Sequence, residues 1–464
     1  MKDKKTITIL IRLAVSAIVW LVSFFVLPDG QKNLGFAVAY MIIGYDVITE
    51  GYEHLFSGKI FNRHLIITIA SLTVYMIGHL SAGVLTMWLY QLDELLCEAI
   101  SRKAERVFPE CTGEEGKTDK GIKRFCEFFA PIMFVVAILT AGFYSGITGH
   151  PFKEALYVAA IILIISGPEQ FAKSVEMSYR YGLNLLRGKG LDLDSSREIE
   201  DIANTSRLRM LKKDLVSTGE LSVVQLVTDL KEDDFLKKAC SLLSKTESPF
   251  YDALLSFYGK DRELNILRGY KEEAGKGVRA LIGPKEYFLG SKEYLAEQGL
   301  EIEDVPEDAA LHLASKSGLL GSVVFEDKII DGISEEVKNL RQLGFKSIGV
   351  ITNDKNGSGE KLIGNTGIDT VIYECEDKGN ELYCASNALD ANGTLLVTER
   401  LGQVAEARKV GLRTMSMIRT LMIIFTVGKA ILLVLTLSGV LHCYMADIAV
   451  LIMSVIMTFI STRE

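Results

Sequence analysis

The sequence contains no C-x-x-C pair. Its seven cysteines are scattered, most of them at or inside segments expected to face the cytoplasm. They read as free thiols in a reducing compartment, not as a disulfide framework. Basic charge is not in excess. Lys and Arg number 51 against 59 Asp and Glu, and the net charge of −8 argues against nucleic acid as a partner. No small-residue cleavage site follows the N-terminal apolar run, which is also too long for a signal-peptide core, so it reads as a membrane helix. Charge is scarce in several windows that approach or exceed about 18 residues, the length that crosses a bilayer as a helix. The middle half of the chain is an ordinary charged sequence. The pattern is that of an integral membrane protein with a large extramembrane insert.

In order, a basic tail (MKDKK) precedes a first span at residues 7–27, with Arg12 placed to snorkel at its cytoplasmic end. A second, short span covers 34–48 and ends at Asp46. The basic segment SGKIFNRH returns the chain to the cytoplasm. Residues 65–90 are too long for one span, and the next basic cluster (Arg102, Lys103, Arg106) demands an even number of crossings. A turn is therefore expected near residues 79–83, the second helix running on past the membrane through QLDELLCEAISRKAERVF. A polar stretch at 109–124 precedes the fifth span (128–147). The sixth (154–170) is interrupted at Gly167-Pro168, where a proline frees a backbone carbonyl. That break reads either as an ion site on a discontinuous helix or as a packing kink. The last two spans are 415–441 and 445–460. Eight spans in a plasma membrane result, with both termini and the large loop cytoplasmic.

Residues 187–410 have α/β patterning. VVQLVTDL reads as a strand. VRALIGPKEYFLG and LHLASKSGLLGSVVFED read as hairpins turning at Gly283-Pro284 and Ser317-Gly318. An amphipathic helix at 334–343 is followed by the strands SIGVITND, TVIYE, ELYCAS and TLLVTE. This order suggests a doubly wound core carrying a second, hairpin-rich lobe.

The order of these parts resembles the heavy-metal (zinc/cadmium/lead-type) P-type ATPases. GYDVITEGYEHLFSGKIFNRHLIITIAS resembles that family's second helix and entry to the third. AGKGVRALIGPKEYFLGSKEYL resembles its nucleotide lobe, LVSTGELS its phosphorylation loop and SIGVITND its T-G-D strand. VGKAILLVL with Met445-Ala446-Asp447 resembles its last two helices. The resemblance implies an α-helical membrane bundle of about eight spans. It also implies an inserted cytoplasmic domain made of a haloacid dehalogenase-like phosphorylation lobe and an α+β nucleotide-binding lobe. The implied division is membrane helices one to four at 1–108, a remnant of the actuator loop at 109–124, and helices five and six at 125–186. The two cytoplasmic lobes occupy 187–410, the nucleotide lobe about 225–320, and helices seven and eight 411–464. ATP-driven export of a metal such as Zn²⁺, with Mg²⁺ as cofactor, is the implied activity.

Several of the family's working parts are altered here. Matching Thr218-Gly219 to the D-K-T-G-T motif puts Val216 where the phosphorylated Asp belongs and Ser217 at the Lys, and valine cannot attack a phosphoryl group. Asp214 lies two residues early, about 6–7 Å away if the segment is a strand. It is either a substitute acceptor or a solvated loop residue. Of the remaining catalytic pattern, Thr352, Asp354 and Asp390 persist, while Ser386 replaces one Mg²⁺ carboxylate. Gly275, Lys276 and Gly277, with Ser248 in place of the family's adenine-supporting His, are the nucleotide-binding candidates. Thr112-Gly113-Glu114 spells the actuator's T-G-E, but too few residues surround it to form a domain. In the membrane, Gly167-Pro168-Glu169 replaces C-P-C. Glu169 and Asp447 remain as candidate metal ligands with Lys429 as counter-charge, unless Lys429 and Asp447 merely neutralise each other. His79 either lines the same path or caps a helix turn. The expected role is a non-catalytic, pseudo-ATPase binder of metal or nucleotide, partnered by the bilayer, a metal ion and a complete P-type ATPase or other membrane protein. The alternative is an active or passively permeating transporter.

Overall fold

The computed structural model describes residues 2–463 except 57–60, 274, 301–308, 353–362, 364–365, 373–380, 386–393 and 399. Two compact units result: residues 1–203 with 409–464, and residues 204–408.

The first unit is helical. It begins with α1 (Lys2–Phe25), α2 (Asp29–Phe56), α3 (Arg63–Met76) and α4 (Leu80–Val107). Then follow α5 (Lys117–Thr148), α6 (Phe152–Ile164), α7 (Glu169–Gly188) and α8 (Ser196–Asn204). The expected turn near His79 falls at Ile77–His79, and α4 does run on to Val107. The expected break at Gly167-Pro168 separates α6 from α7. Ser166 compensates part of it, its hydroxyl donating to the Leu163 carbonyl at 2.6 Å.

Three expectations are refined. Asp46, expected to end the second span, sits inside a longer helix, α2, which continues to Phe56. Arg12 does not snorkel to the surface. It forms an ion pair with Asp46, and its guanidinium lies 5.0 Å from the Tyr45 ring centre. A carboxylate neutralised within the bundle no longer needs to mark a membrane boundary. The fifth span expected at 128–147 lies inside a longer helix that starts at Lys117, its first turn capped by groups described below. Among the described residues, six helices are long and apolar enough to cross a membrane; α3 is apolar but short. Their apolar faces stay exposed, as at Ile132, Val135, Ile138, Leu139 and Phe143 on α5, which suits a lipid environment rather than water. The inner core is built on small and branched residues such as Ala39, Ile43, Ala70, Met87, Ile162 and Ala446.

The second unit holds two sheets. β1 (Arg207–Leu211) leads through a single irregular turn, α9 (Lys212–Leu215), into β2 (Ser217–Thr228). After α10 (Glu232–Leu243) and α11 (Pro249–Tyr258) come β3 (Leu267–Glu273), β4 (Gly277–Ile282) and β5 (Lys285–Gly290). α12 (Lys292–Glu297), β6 (Ala309–Ser315), β7 (Gly318–Ile329) and α13 (Ile333–Gln342) follow. Last are β8 (Ser347–Ile351), β9 (Thr370–Ile372), β10 (Leu382–Ala385) and β11 (Thr394–Val397). Two further helices close the chain: α14 (Leu401–Leu437), whose residues up to Arg408 belong to the second unit, and α15 (Cys443–Thr462), in the first.

The strands β11-β10-β1-β8-β9 form a parallel sheet, and β2-β7-β6-β5-β4-β3 an antiparallel one. The doubly wound core and hairpin-rich lobe are both present, and both expected hairpins form in register. The antiparallel sheet is larger than the span 225–320 assigned to the nucleotide lobe, running from Ser217 to Ile329. Thr218 and Gly219 thus belong to the first turns of a strand, not to a free loop. The central strand β1 escapes a search for continuous apolar runs because Arg207 and Arg209 interrupt it. Arg209 is buried, and its guanidinium reaches the Glu381 carboxylate at 3.0 Å.

The edge strand β9 is tied down by Asp369, whose carboxylate accepts from the Ile348 N–H at 2.8 Å and from Arg341 at 2.6 Å. Burial pushes that carboxyl up, but the N–H and the guanidinium outweigh it and hold it below its ordinary value. A depressed folded-state pKa adds stability above the unfolded value, about 3.9, that is lost as pH falls through the folded one. Asp369→Asn is expected to lower hydrogen-exchange protection at Ile348 near neutral pH. The wild type should lose the same protection only below about pH 4.

Candidate functional site

In the second unit the carboxyl edge of the parallel sheet is where ligands of such folds bind. β1 and β8 pair with Leu211 opposite Ile351, so Lys212 and Thr352 follow the two strand ends side by side. Lys212 is buried, with its ammonium 2.6 Å from Asp327. Its carbonyl accepts from the Val216 N–H at 3.0 Å and from the Ser217 hydroxyl at 3.4 Å. Val216 is wholly buried, and its own carbonyl accepts from the Ile330 N–H at 3.0 Å. Asp214 does not lie on a strand, as its offset from Val216 assumed. It occupies the left-handed region at φ 71°, inside the turn between β1 and β2. Five residues separate the end of β1 from β2, so the chain turns before the T-G pair instead of at it. Thr352 is buried, its N–H donating to the Ile372 carbonyl at 3.0 Å. Asp354 and Asp390 lie outside the described residues. Among the described residues, the edge offers a paired lysine, a valine and a threonine, which is not the carboxylate set that Mg²⁺ takes.

Gly275, Lys276 and Gly277 form the turn from β3 to β4. Gly275 has φ 76°. A Cβ on Gly277 would lie 2.4 Å from the Tyr294 ring and 2.7 Å from the Leu289 carbonyl, so packing alone requires glycine there. The Lys276 ammonium is 2.7 Å from Glu297, and that bond holds it above its ordinary pKa. Ser248 caps α11, accepting from the Phe250 N–H at 3.3 Å. Among the described residues no hydrogen bond joins Ser248 to the Gly275–Gly277 turn.

Thr112-Gly113-Glu114 has a structural task in the first unit. The N–H groups of Thr112 and Gly113 donate to the Asp194 carbonyl at 2.9 and 3.2 Å, and Glu114 pairs with Arg197. Next to it Glu200 caps α5, accepting from the N–H groups of Thr118 and Asp119 at 2.8 and 2.9 Å and from Tyr179 Oη at 2.7 Å. Burial pushes the neighbouring Cys111 thiol up to about 11, so it is no more reactive than an ordinary thiol.

In the helical bundle the metal candidates separate. Asp447, on α15, accepts from the Thr86 hydroxyl at 2.7 Å and lies 3.8 Å from Cys443 Sγ. Glu169, at the start of α7, flanks Gly167 together with Arg63. Among the described residues Lys429 makes no ion pair with Asp447, whose polar partners are Thr86 and Cys443. It is buried on α14, 5.6 Å from the Phe425 ring centre. His79 precedes α4 without a side-chain capping bond, and its ring packs on Tyr157 at 4.8 Å.

The sequence reading missed the bundle's dominant polar group. Arg63, taken for a cytoplasmic loop residue, bonds Asp93 of α4 at 2.5 Å and covers the Tyr90 ring at 4.7 Å. Tyr90 Oη in turn meets His64 Nδ1 at 3.0 Å and Glu94 at 3.1 Å. Arg63, Tyr90, Asp93, Gly167 and Asp447 share a cavity of about 20 Å³, enough for about one water molecule. A second cavity of about 440 Å³ is lined by Glu50, Glu94, Glu98, Glu105 and Glu176, with Lys173 and Arg180 as opposing charges. Among the described residues no three His, Cys, Asp or Glu side chains converge on one metal position.

No family model matches the chain. It is 21% identical to a cadmium, zinc and cobalt-transporting ATPase of Bacillus subtilis (strain 168), over 86% of this chain and 72% of that protein. It is 22% identical to a zinc-transporting ATPase of Synechocystis, over 67% of this chain but only 43% of the relative. The crystal structure of a zinc-transporting PIB-type ATPase in the E2.Pi state superposes with a TM-score of 0.63, at 14% identity, covering 99% of this chain and 98% of the other. The chain is thus similar in sequence to heavy-metal transporting ATPases, and it has the fold of the zinc-transporting one, a helical bundle with an α/β domain.

In this chain Thr112-Gly113-Glu114 staples the α4–α5 connection to Asp194 and to Arg197 of α8, beside the Glu200 cap. Glu200→Ala should therefore uncap α5 and expose Lys117, Lys120 and Lys123 to trypsin in the purified protein. Asp194→Ala, which leaves the accepting carbonyl in place, should not.

Proposed function

We propose that the protein is a non-catalytic, pseudo-ATPase relative of the heavy-metal pumps, which binds metal or nucleotide without forming a phosphoenzyme. One observation carries this reading: the end of β1 presents Lys212, ion-paired with Asp327, and a buried Val216. An in-line attack on a γ-phosphorus needs a carboxylate there. Asp214 sits in a left-handed turn, and misplacement of about 1 Å already costs roughly a hundredfold. The connection between α4 and α5 is residues 108–116, which leaves no room for an actuator domain.

The same reading takes the parallel sheet as a haloacid dehalogenase-like lobe and the antiparallel sheet as a nucleotide lobe that holds ATP weakly if at all. It counts α3, α4 and the broken α6–α7 among eight spans of a plasma membrane, with the α/β unit and both termini cytoplasmic. The regulatory partner would be a complete P-type ATPase or another membrane protein. Zn²⁺ or a similar divalent metal is the ion it would bind.

Incubation of the purified chain with γ-labelled ATP, with and without Zn²⁺, is expected to give no acid-stable label. A label that disappears in Asp214→Asn would overturn the proposal and make the chain a pump with a displaced nucleophile. The second reading, a transporter working by permeation, draws on the acidic cavity of about 440 Å³, which would concentrate cations. It predicts metal uptake into proteoliposomes that Asp447→Ala abolishes; the pseudo-ATPase reading predicts none.

A further inference from the structure

We propose that the acidic cavity between α2, α4, α7 and α15 binds a linear polyamine, an organic polycation whose ammonium groups are joined by short methylene spacers. The inference goes beyond the pseudo-ATPase reading and does not depend on it.

One wall of the cavity is a row of side chains on α4. Glu94, Cys97, Glu98, Ser101 and Glu105 all line it. Their spacing, i, i+3, i+4, i+7 and i+11, keeps them on one face of the helix. At about 1.5 Å of rise per residue, Glu94 and Glu98 stand about 6 Å apart along the axis, and Glu105 about 10 Å further on. Spacers of three or four carbons hold successive amines about 5–6 Å apart, since each bond is about 1.5 Å long. One such step matches Glu94 to Glu98, and two match Glu98 to Glu105 with Ser101 between them. The Ser101 hydroxyl donates to Glu105 at 3.0 Å, which leaves its own oxygen free to accept from an ammonium.

The charges of the lining favour a cation of high valence. Glu50 of α2 and Glu176 of α7 add to the three carboxylates of α4, against Lys173 and Arg180. That is a surplus of three negative charges, His64 not counted. Arg180 is largely spent elsewhere, donating to the carbonyls of Pro109, Glu105 and Phe108 at 3.1, 3.2 and 3.2 Å. Glu98 lies 3.7 Å from Arg102 and Glu176 3.9 Å from Arg180, while Glu94 and Glu105 have no ion pair among the described residues. An independent observation comes from α7. Ser174 lines the same cavity at 2% exposure, and its hydroxyl has no hydrogen-bond partner. A buried hydroxyl is rarely left unmatched, and an ammonium in the cavity would donate to it.

Size and layout separate this ligand from a metal ion. The cavity, about 440 Å³, lies in the range of about 300–1,000 Å³ that takes a small organic molecule. A bare divalent ion instead needs several ligands within about 2.0–2.6 Å. Among the described residues no three His, Cys, Asp or Glu side chains converge in that way. Spaced carboxylates suit spaced ammonium groups, and Cys97 and Met177 offer apolar contact to the methylenes between them.

The test measures equilibrium binding of labelled spermine to the full chain in detergent. One spermine should bind, more weakly as salt rises, and a four-carbon diamine should bind at least tenfold more weakly because it makes fewer charge-assisted bonds. Glu94→Gln and Glu98→Gln should each weaken spermine binding by about tenfold or more, and Ser174→Ala by about threefold. Glu127→Gln, on α5 away from the cavity, should change nothing. Unchanged binding in Glu94→Gln and Glu98→Gln, an equal loss in Glu127→Gln, or diamine binding as tight as spermine would each overturn the site. Displacement of spermine by equimolar Zn²⁺ or Mg²⁺ would also overturn it and assign the cavity to a metal. If the glutamine variants do not fold, Lys173→Gln decides. It removes an opposing charge from an exposed position, so spermine should bind more tightly; unchanged or weaker binding would overturn the proposal. Phosphoenzyme formation does not enter these readouts, so the site and the pseudo-ATPase reading fail separately.

Discussion

A charged side chain buried among apolar helices must find its partner there, because neither lipid nor the helix interior will solvate it. The membrane part of this protein is arranged around that constraint. Arg63 and Asp93 join the start of α3 to the middle of α4, and Arg12 and Asp46 join α1 to α2. Glu200 does the equivalent for backbone N–H groups by closing the start of α5. Breaking the Arg63–Asp93 pair, the more buried of the two, would strand its other member at about 3–5 kcal/mol. Asp447 stands apart from this pattern, bonded to a hydroxyl and beside a thiol instead of a cation.

The same constraint acts at the helix break, where Glu169 and Arg63 flank Gly167. Asp447, on α15, instead accepts from the Thr86 hydroxyl.

In the α/β unit the decisive geometry is where a chain leaves a parallel strand. Five residues separate β1 from β2, and the Thr218-Gly219 pair lies at the start of β2. The strand end is left to a lysine neutralised by Asp327. The Gly275–Gly277 turn has a packing reason of its own in Tyr294.

The sequence by itself determined the apolar helices and both hairpins, because hydrophobic period and Gly-Pro punctuation are local signals. It placed the break at Gly167-Pro168, the turn before α4 and both hairpins. Its failures share one physical cause. Asp46, Arg12, Arg63 and Arg209 are charged, and charge was taken to mean surface; each is instead paired with a partner 30 to 172 residues away. The pairing of Asp447 with Thr86 spans 361 residues. The Cys443–Asp447 spacing was readable as one helix face, but nothing in the order of residues says that Thr86 meets it or that Lys429 does not. Those contacts exist only once α4, α14 and α15 pack, since what a buried charge needs is set by its neighbours in space.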